Sequence, residues 1–311
     1  MRVCASARSD AQTRNFLVLD NAIAWPLVIH LIVRRIGDTH LPYEECVSEM
    51  PTFKELHHSV FPLVLPNAWD SGSAMAFIAA GFPAIGTTSF GVAASSGMPD
   101  GDRSSQTGTL ELIKQIGRLP AHVTVDVEDG YSDDPEEVAS FVSRLADLGA
   151  AGINLEDSRS GHLVDPAMIC AKILAIKERA PQIFINARVD NFWFDEEASV
   201  AKVLQRAAAY SEAGADGIFV PGALGADDIA ALAAGVDLPL NVLAHPALSV
   251  AELGELGVRR ISSGSLPYRA SVDASVNAVL SLRDGLPLPR ATSYWDMQER
   301  LVAFHEINTK N

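Results

Sequence analysis

Residues 123–128 read VTVDVE, an apolar run that ends in two acidic positions, Asp126 and Glu128. The same change from apolar to charged recurs in INLED at 153–157 and in IFINAR at 183–188. Buried parallel strands are apolar along their length and deliver polar groups to one face of a barrel at their carboxyl ends. We therefore expect the acids and the arginine of these strand ends to meet at one site.

Similar apolar runs occur along most of the chain and alternate with helical segments. The candidate strands are Pro62–Leu65, Ala84–Thr87, Val123–Val127, Gly152–Leu155, Ile183–Ala187, Gly217–Val220, Leu240–Leu243 and Arg260–Ser262. Eight βα units of this kind predict an α/β fold, a closed (β/α)₈ barrel of the TIM type.

Helix boundaries support this division. Asp134-Pro135 and Asp165-Pro166 each place an N-cap residue before a first-turn proline, and Ser249 with Glu252 has the spacing of a capping box. A glycine that closes a helical stretch precedes several of the strands, as expected for helix C′ positions. These glycines are Gly81, Gly149, Gly214 and Gly257.

Composition limits the functional classes. The 311 residues are 48% hydrophobic and 20% charged, which is enough to bury a large core. The formal net charge of −15 argues against nucleic acid or an anionic membrane surface as a partner. The three cysteines have neither CxxC spacing nor an even count, so we predict a cytoplasmic protein without a disulfide framework.

The regular alternation begins only near residue 53. Residues 1–52 are interpreted as an N-terminal extension, or the natural chain starts at Met50. Residues 16–33 are apolar but contain Asp20 and Pro26, which argues against a membrane helix or an export signal. We assign 53–285 to the catalytic barrel and 286–311 to a C-terminal helical tail.

Six segments of the chain together resemble the phosphoenolpyruvate mutase and isocitrate lyase superfamily. They are LPNAWDSGSA (65–74), IGTTSFGVAASSGMPDGD (85–102), VTVDVEDGY (123–131), GINLEDS (152–158), INARVD (185–190) and RRISSG (259–264). The resemblance covers about residues 53 to 285, in order and at spacing that suits a barrel.

The resemblance implies a Mg²⁺ ion at the mouth of the barrel, with Mn²⁺ as an alternative, bound to the oxygens of a small anionic oxo or hydroxy acid. Asp126 matches the aspartate nearest the metal, and Glu128 and Glu156 match further acids of the metal site. Arg188 matches the arginine that meets the substrate, and Asp100 an aspartate that helps to hold the metal's water shell or the reacting group. Mg²⁺ commonly keeps several waters and uses one or two carboxylates, which agrees with this set. The rival interpretation is that these side chains are solvated loop acids and a neutralising arginine at the rim.

Other polar residues at strand ends are candidates for substrate binding. Thr88 stands where relatives have a serine that grips the substrate carboxylate, and Ser89 follows it. Asn67 and Asn241 end the first and seventh βα strands as candidate substrate contacts. His245 follows strand seven, where an imidazole is able to act as acid or base. His57 and His58, by contrast, are expected to be solvated.

One departure from the family pattern affects the reaction. Isocitrate-lyase-type members carry a KKCGH-like segment after the LED motif, and its cysteine donates a proton to the leaving enolate. This chain has LEDSRSGHLVDP, a shorter loop without cysteine. The longer, asparagine-bearing loop of the phosphono-transfer members is also missing. His162 and Ser160 are the substitutes that the loop offers.

Three functions remain open at this stage. The first is a Mg²⁺-dependent lyase or hydrolase that cleaves a C–C bond of a small 2-oxo or 2-hydroxy (di)carboxylic acid through an enolate-like intermediate. The second is a phosphonomutase, an isomerase of phosphonopyruvate and phosphoenolpyruvate, and the third is a non-catalytic metal-binding barrel. The resemblance also implies a homodimer or homotetramer that exchanges C-terminal helices.

Overall fold

The computed structural model describes residues 50–309, so the predictions about residues 1–49 lie outside the described part of the chain. The strands are β1 Leu63–Leu65, β2 Asn67–Ala68, β3 Ala84–Thr87, β4 His122–Asp126, β5 Ala150–Glu156, β6 Ser158–Arg159, β7 His162–Leu163, β8 Phe184–Arg188, β9 Gly217–Phe219, β10 Leu240–Leu243 and β11 Arg260–Ser262. The helices are α1 Phe53–Leu56, α2 Ser71–Ala79, α3 Ser89–Ser95, α4 Gln106–Ile116, α5 Pro135–Asp147, α6 Pro166–Arg179, α7 Asn191–Phe194, α8 Val200–Glu212, α9 Ala226–Gly235, α10 Val250–Glu255, α11 Leu266–Arg283 and α12 Tyr294–Thr309.

Nine parallel strands form one sheet in the order β1-β11-β10-β9-β8-β5-β4-β3-β2. β1 and β2 are successive pieces of one chain segment separated only by Pro66, and they pair with β11 and β3 respectively. The two ends of the sheet therefore meet in this segment, which nearly closes the barrel. The (β/α)₈ prediction is confirmed, and the division of its first strand is the feature that the sequence pattern did not show.

The predicted helix boundaries are present. Asp134 and Asp165 accept hydrogen bonds from first-turn amides, each with a proline at the start of the helix, and Ser249 forms the reciprocal box with Glu252. The four predicted C′ glycines all have a positive φ, between 93° and 106°. That conformation is strained for residues that carry a Cβ, so the glycines fix where each of these helices stops.

The amino-terminal end of the barrel is closed by α1. Phe53 is 5% exposed, and its ring packs edge-on against Phe184 of β8. His57 is 1% exposed and stacks on the same Phe184 ring at 4.2 Å between centroids. The prediction of a solvated His57 is wrong because this long-range stacking buries it, whereas His58 is exposed as predicted.

A polar column runs through the barrel interior. Arg260 is fully buried and reaches across the barrel, where Nη2 donates to Asn154 Oδ1 at 3.0 Å. The same oxygen accepts from Asn186 Nδ2 at 2.9 Å, and Asn241 exchanges hydrogen bonds with Ser262. The interior beneath the barrel mouth is therefore hydrogen-bonded rather than uniformly apolar.

The C-terminal segment leaves much apolar surface uncovered. No side chain of α11 is buried, and α12 meets this chain's own barrel through Phe304 and Ile307. The exposed large apolar side chains here are Leu266, Val272, Val276, Val279, Leu280, Leu282, Leu286, Leu288, Tyr294, Trp295, Met297, Leu301 and Val302. Across residues 50–309, no helix is both long enough and apolar enough to cross a membrane.

Candidate active site

A cavity of about 580 Å³ opens at the carboxyl ends of the strands. It is lined by Ser89, Asp100, Gly101, Asp102, Arg103, Glu128, Asp129, Glu156, Ser158, Arg159, Ser160, Gly161, Arg188, Trp193 and Phe194. These residues come from the loops after β3, β4, β5 and β8, the face where barrels of this type place their functional groups. Five acids against three arginines leave the lining acidic, which favours a bound cation.

Arg188 and Glu156 form the centre of the site. They lie opposite each other in the register of β8 and β5, and Arg188 Nη1 donates to Glu156 Oε1. Arg188 Nε donates to Asp190 Oδ1 at 2.6 Å. Burial disfavours the charged guanidinium, but the carboxylates of Asp190 and Glu156 outweigh it and raise the pKa of Arg188. Within residues 50–309 the Nη2 atom of Arg188 has no hydrogen-bond partner, so this donor is available to a ligand in the cavity.

Asp126 is 9% exposed and lies outside the lining itself, but it is bonded to Ser89 of the lining. Its Oδ2 accepts from the Ser89 amide at 3.2 Å, and its Oδ1 accepts from the Glu128 amide at 3.4 Å. Burial raises the pKa of Asp126, and Arg188 lowers it in part. Burial also raises the pKa of Glu156 well above its usual value, again opposed by Arg188. A nearby cation would favour the charged form of both carboxylates.

This donor set fits Mg²⁺ held partly by water. Among residues 50–309, no three His, Cys, Asp or Glu side chains converge closely enough to hold a cation by themselves. Mg²⁺ usually takes one or two protein carboxylates and completes its shell with water and substrate oxygens. Asp126 and Glu156, with Asp100 at the exposed edge of the cavity, offer hard oxygen ligands of that kind.

Glu128 holds the loop after β3. Its Oε1 accepts from Ser105 Oγ at 2.5 Å, and its Oε2 accepts from the Arg103 amide at 2.9 Å. Burial raises the pKa of Glu128, and the Ser105 hydrogen bond opposes this. Glu128, predicted as an acid of the metal site, lines the cavity, and both of its oxygens already accept hydrogen bonds from the loop after β3.

Four further predicted residues lie outside the cavity lining. Thr88 is the N-cap of α3 and accepts from the Gly91 amide at 3.5 Å. Asn67 Nδ2 donates to Thr87 O at 2.7 Å, and its Oδ1 accepts from Ser263 and Gly264, so it joins β2 to the loop after β11. Asn241 is 1% exposed inside the barrel.

His245 is the fourth of these residues. Its Nδ1 accepts from the amides of Ala247 and Leu248, and its Nε2 lies 3.2 Å from Leu224 O. The ring borders a separate cavity of about 250 Å³ between the loops after β9 and β10. The structure therefore does not bring His245 to Arg188, and its bonds favour a loop-stabilising role.

Charged residues that sequence reasoning missed tie the rim of the cavity together. Arg103 binds Asp129 with two nitrogens, Nε at 2.9 Å and Nη2 at 2.5 Å, and also reaches Asp133 at 2.5 Å. Arg159 donates to the same Asp133, and buried Lys172 donates to Asp129 O at 2.6 Å. We call these five residues the rim cluster. It connects the loops after β3, β4 and β5.

The loop after β5 is a short hairpin made of β6 and β7. Ser160 lines the cavity, and its Oγ lies 3.3 Å from Asp102 Oδ1. His162 has an 83% exposed side chain, 3.5 Å from Glu196, and it is outside the lining. Of the two predicted substitutes for the missing cysteine, only Ser160 faces the cavity.

Asp157, the last residue of the INLED run, has a structural position. It is fully buried, accepts from the Asp190 amide at 2.8 Å and from Tyr210 Oη at 2.8 Å, and pairs with Arg206 at 3.0 Å. Burial and the neighbouring Asp190 raise the pKa of Asp157 to about 6. Asp157 therefore links the end of β5 to the segment after β8 and to α8.

Comparisons with known proteins show which family this chain resembles. The family described as phosphoenolpyruvate phosphomutase matches residues 53–283. An uncharacterised protein of Mycobacterium tuberculosis is 49% identical over 253 residues, which cover 81% of this chain and 97% of the relative. A probable 2-methylisocitrate lyase of Corynebacterium glutamicum is 31% identical over 228 residues, 70% of this chain and 69% of the relative. A crystal structure of a candidate phosphonomutase from Burkholderia cenocepacia is 39% identical with a TM-score of 0.68, covering 73% of this chain and 97% of that one.

Proposed function

The chain belongs to the phosphoenolpyruvate mutase and isocitrate lyase superfamily, and from that membership we propose that it is a Mg²⁺-dependent lyase or hydrolase. Its reaction cleaves a C–C bond of a small 2-oxo or 2-hydroxy (di)carboxylic acid through an enolate-like intermediate. The observation that carries this proposal is Arg188, which is held by two carboxylates and keeps one guanidinium nitrogen for the cavity beside the buried Asp126.

Arg188 orients the acid. Because Glu156 and Asp190 fix two of its nitrogens, the guanidinium plane has one direction in which to offer Nη2. A fixed arginine donor binds a carboxylate or a developing enolate oxygen without reorganising during the reaction. Arg188 therefore supplies both substrate orientation and charge stabilisation.

Asp126 and Glu156, with Asp100 through water, are the residues that would hold Mg²⁺, and Mn²⁺ is a chemical alternative for the same oxygens. A bound divalent cation supplies Lewis-acid polarisation of the substrate oxygen. Ser89 and Glu128 keep the Asp126 carboxylate in place through their amides. Ser160, which lines the cavity, is the residue of the hairpin that we assign to proton donation to the product in place of the missing cysteine.

The alternative is a phosphonomutase. The family description and the 39% identical structure both name that chemistry, and the arginines of the rim, Arg103 and Arg159, lie in the same cavity lining. A phosphono group carries more negative charge than a carboxylate, and arginine is well suited to it. The non-catalytic barrel is the third outcome of the same experiment.

The experiment is an NMR assay of the purified protein with Mg²⁺ and, separately, oxaloacetate, 2-methylisocitrate, dimethylmalate and phosphonopyruvate. We expect C–C cleavage of at least one carboxylic acid, loss of turnover with EDTA and recovery with added Mg²⁺. Conversion of phosphonopyruvate alone, with phosphoenolpyruvate as the product, would establish the mutase alternative. A protein that binds Mg²⁺ and turns over none of the four acids would support the non-catalytic barrel.

We also propose that the protein is a homodimer or homotetramer formed through α11 and α12. The exposed apolar side chains between Leu266 and Val302 are too numerous for a surface that remains in water. Two such faces would cover each other if subunits exchange their C-terminal helices. Light scattering at micromolar concentration checks this, and a strict monomer would refute it.

A further inference from the structure

Two aromatic side chains face the cavity from α7. Trp193 and Phe194, here called the aromatic wall, both line it. The ring centre of Trp193 lies 5.5 Å from Cζ of Arg188, so the indole covers the guanidinium that the proposed function assigns to the substrate. Trp193 is nevertheless 51% exposed. An exposed indole beside a ligand-binding arginine gains free energy when an apolar group covers it.

The aromatic wall is held rigidly from behind. Asn191 is fully buried, and its Nδ2 donates to the carbonyl oxygens of Glu196 at 3.0 Å and Glu197 at 3.3 Å. These bonds close the loop that follows α7 on itself. The wall therefore has a fixed anchor less than one turn away from Trp193.

The loop after β9 blocks movement of α7 away from the cavity. Gly222 has a φ of +118°, and a Cβ there would lie 2.6 Å from the carbonyl carbon and oxygen of Phe192. Backbone contact this close leaves no space into which α7 could withdraw. On the other side, Glu196 Oε2 accepts from the Leu163 amide at 3.1 Å, which ties the loop after α7 to the hairpin.

The size of the cavity gives the aromatic wall a role. At about 580 Å³ the cavity falls in the range of roughly 300–1,000 Å³ that proteins use for ligands much larger than a four-carbon acid. Charged side chains make up much of the lining, and the rings of Trp193 and Phe194 are its aromatic part, with the indole next to the Arg188 guanidinium. A ligand that is held by Arg188 and also reaches these rings carries apolar atoms on that side.

We propose that the aromatic wall selects acids that carry an apolar substituent on the carbon next to the 2-oxo or 2-hydroxy group. This inference rests on the proposed function, because it places the oxo acid at Arg188. The substituent packs on the indole of Trp193 and the ring of Phe194. Small unsubstituted acids leave that surface in water.

The test is calorimetric titration, with Mg²⁺ present, of malate and of malates bearing a 3-methyl, 3-isopropyl or 3-benzyl group. We expect the Kd to fall along this series, by about tenfold or more between malate and the largest members, as buried apolar groups usually give. In Trp193→Ala the Kd should be nearly the same for all members of the series. In Trp193→Phe most of the fall in Kd along the series should remain. Phe61→Ala, which removes an exposed aromatic ring outside the cavity, is the matched control and should leave the series unchanged.

Oxalate, which carries no substituent, separates this inference from the proposed function. Oxalate binding with Mg²⁺ in the unmodified protein, together with a Kd that falls along the malate series, supports both. If oxalate binds but the Kd does not change along the malate series, the proposed selection by the aromatic wall is refuted and the proposed function remains supported. Failure of oxalate and of every malate to bind overturns both. Dissociation of the Trp193→Ala oligomer in light scattering would also overturn the inference, since Trp193 would then be a subunit contact.

Discussion

Arg188 and Glu156 occupy facing register positions on adjacent parallel strands, and their side chains form an ion pair at the mouth of the barrel. The pair fixes a guanidinium of the cavity lining whose third nitrogen has no hydrogen-bond partner within residues 50–309. Arg188→Lys keeps the charge but loses the planar fork, so we expect kcat/KM for the acid substrate to fall about 10²- to 10³-fold.

Steady-state kinetics on the best substrate of the acid panel checks this. Arg118→Lys, a change at an exposed arginine, is the control and should leave kcat/KM within twofold. Equal losses in both variants would show that the effect is not specific to the site.

Asp126→Asn removes a buried carboxylate that accepts a hydrogen bond from Ser89 of the cavity lining. The side chain remains similar in size, but it loses its charge, so we expect Mg²⁺ affinity to fall more than tenfold while the fold is retained. Isothermal titration with Mg²⁺, or Mn²⁺ spin resonance, measures the affinity, and circular dichroism checks the fold. Asp147→Asn, at an exposed position at the end of α5, removes the same charge far from the cavity. Unchanged Mg²⁺ affinity in Asp126→Asn would refute the metal assignment.

Asp129→Asn tests the rim cluster. Asp129 has a 7% exposed side chain and accepts two nitrogens of Arg103, so we expect the free energy of unfolding to fall by about 1–3 kcal/mol. Asp133 also binds Arg103 but is 57% exposed, and Asp133→Asn should cost less than about 1 kcal/mol. Urea unfolding measures both values. A larger loss from Asp133→Asn would contradict this ranking of the two acids.

The buried His57 makes stability depend on pH. Burial lowers the pKa of His57 from 6.5 to about 3 in the folded chain, so the unfolded chain binds more protons between those values. Stability is therefore complete above pH 6.5 and decreases as the pH falls toward 3. Lowering the pH from 7.5 to 5 should therefore reduce the free energy of unfolding by about 2 kcal/mol through this one group.

His57→Phe should remove that part of the pH dependence, because a phenyl ring does not titrate. His58→Phe changes the exposed neighbour and should keep it. The measurement is urea unfolding of the three proteins at pH 5 and pH 7.5. If the free energy of unfolding of His57→Phe falls between pH 7.5 and pH 5 as much as that of the unmodified chain, His57 is not the titrating group.

Local sequence patterns predicted the elements of the barrel well. The runs around Val125, Ile153 and Ile185 became neighbouring strands, and Gly149 and Gly214 end helices where their position indicated. Such features depend on residues within a few positions of each other. The division of the first strand at Pro66 was missed because it depends on distant parts of the chain. β11 pairs with β1 before the proline, and β3 pairs with β2 after it.

The site was predictable only in part, for a related reason. Strand-end acids and Arg188 could be identified from their position after apolar runs, and the structure brings five of the ten predicted residues into the cavity lining, with Asp126 beside them. Arg103 and Asp129 lie 26 positions apart in the sequence, in loops without periodicity. The burial of His57 depended on Phe184, more than a hundred positions away.

The rim cluster has a consequence for how such barrels acquire new substrates. Asp133 is shared by Arg103 and Arg159, and Ser160 lies within reach of Asp102, so three loops depend on one another's charges. A chimera that received only a longer hairpin from a relative would leave Asp133 with one arginine and Asp102 without its hydroxyl neighbour. Grafts that transfer all three loops together are therefore expected to preserve a folded rim, and grafts of one loop alone are not.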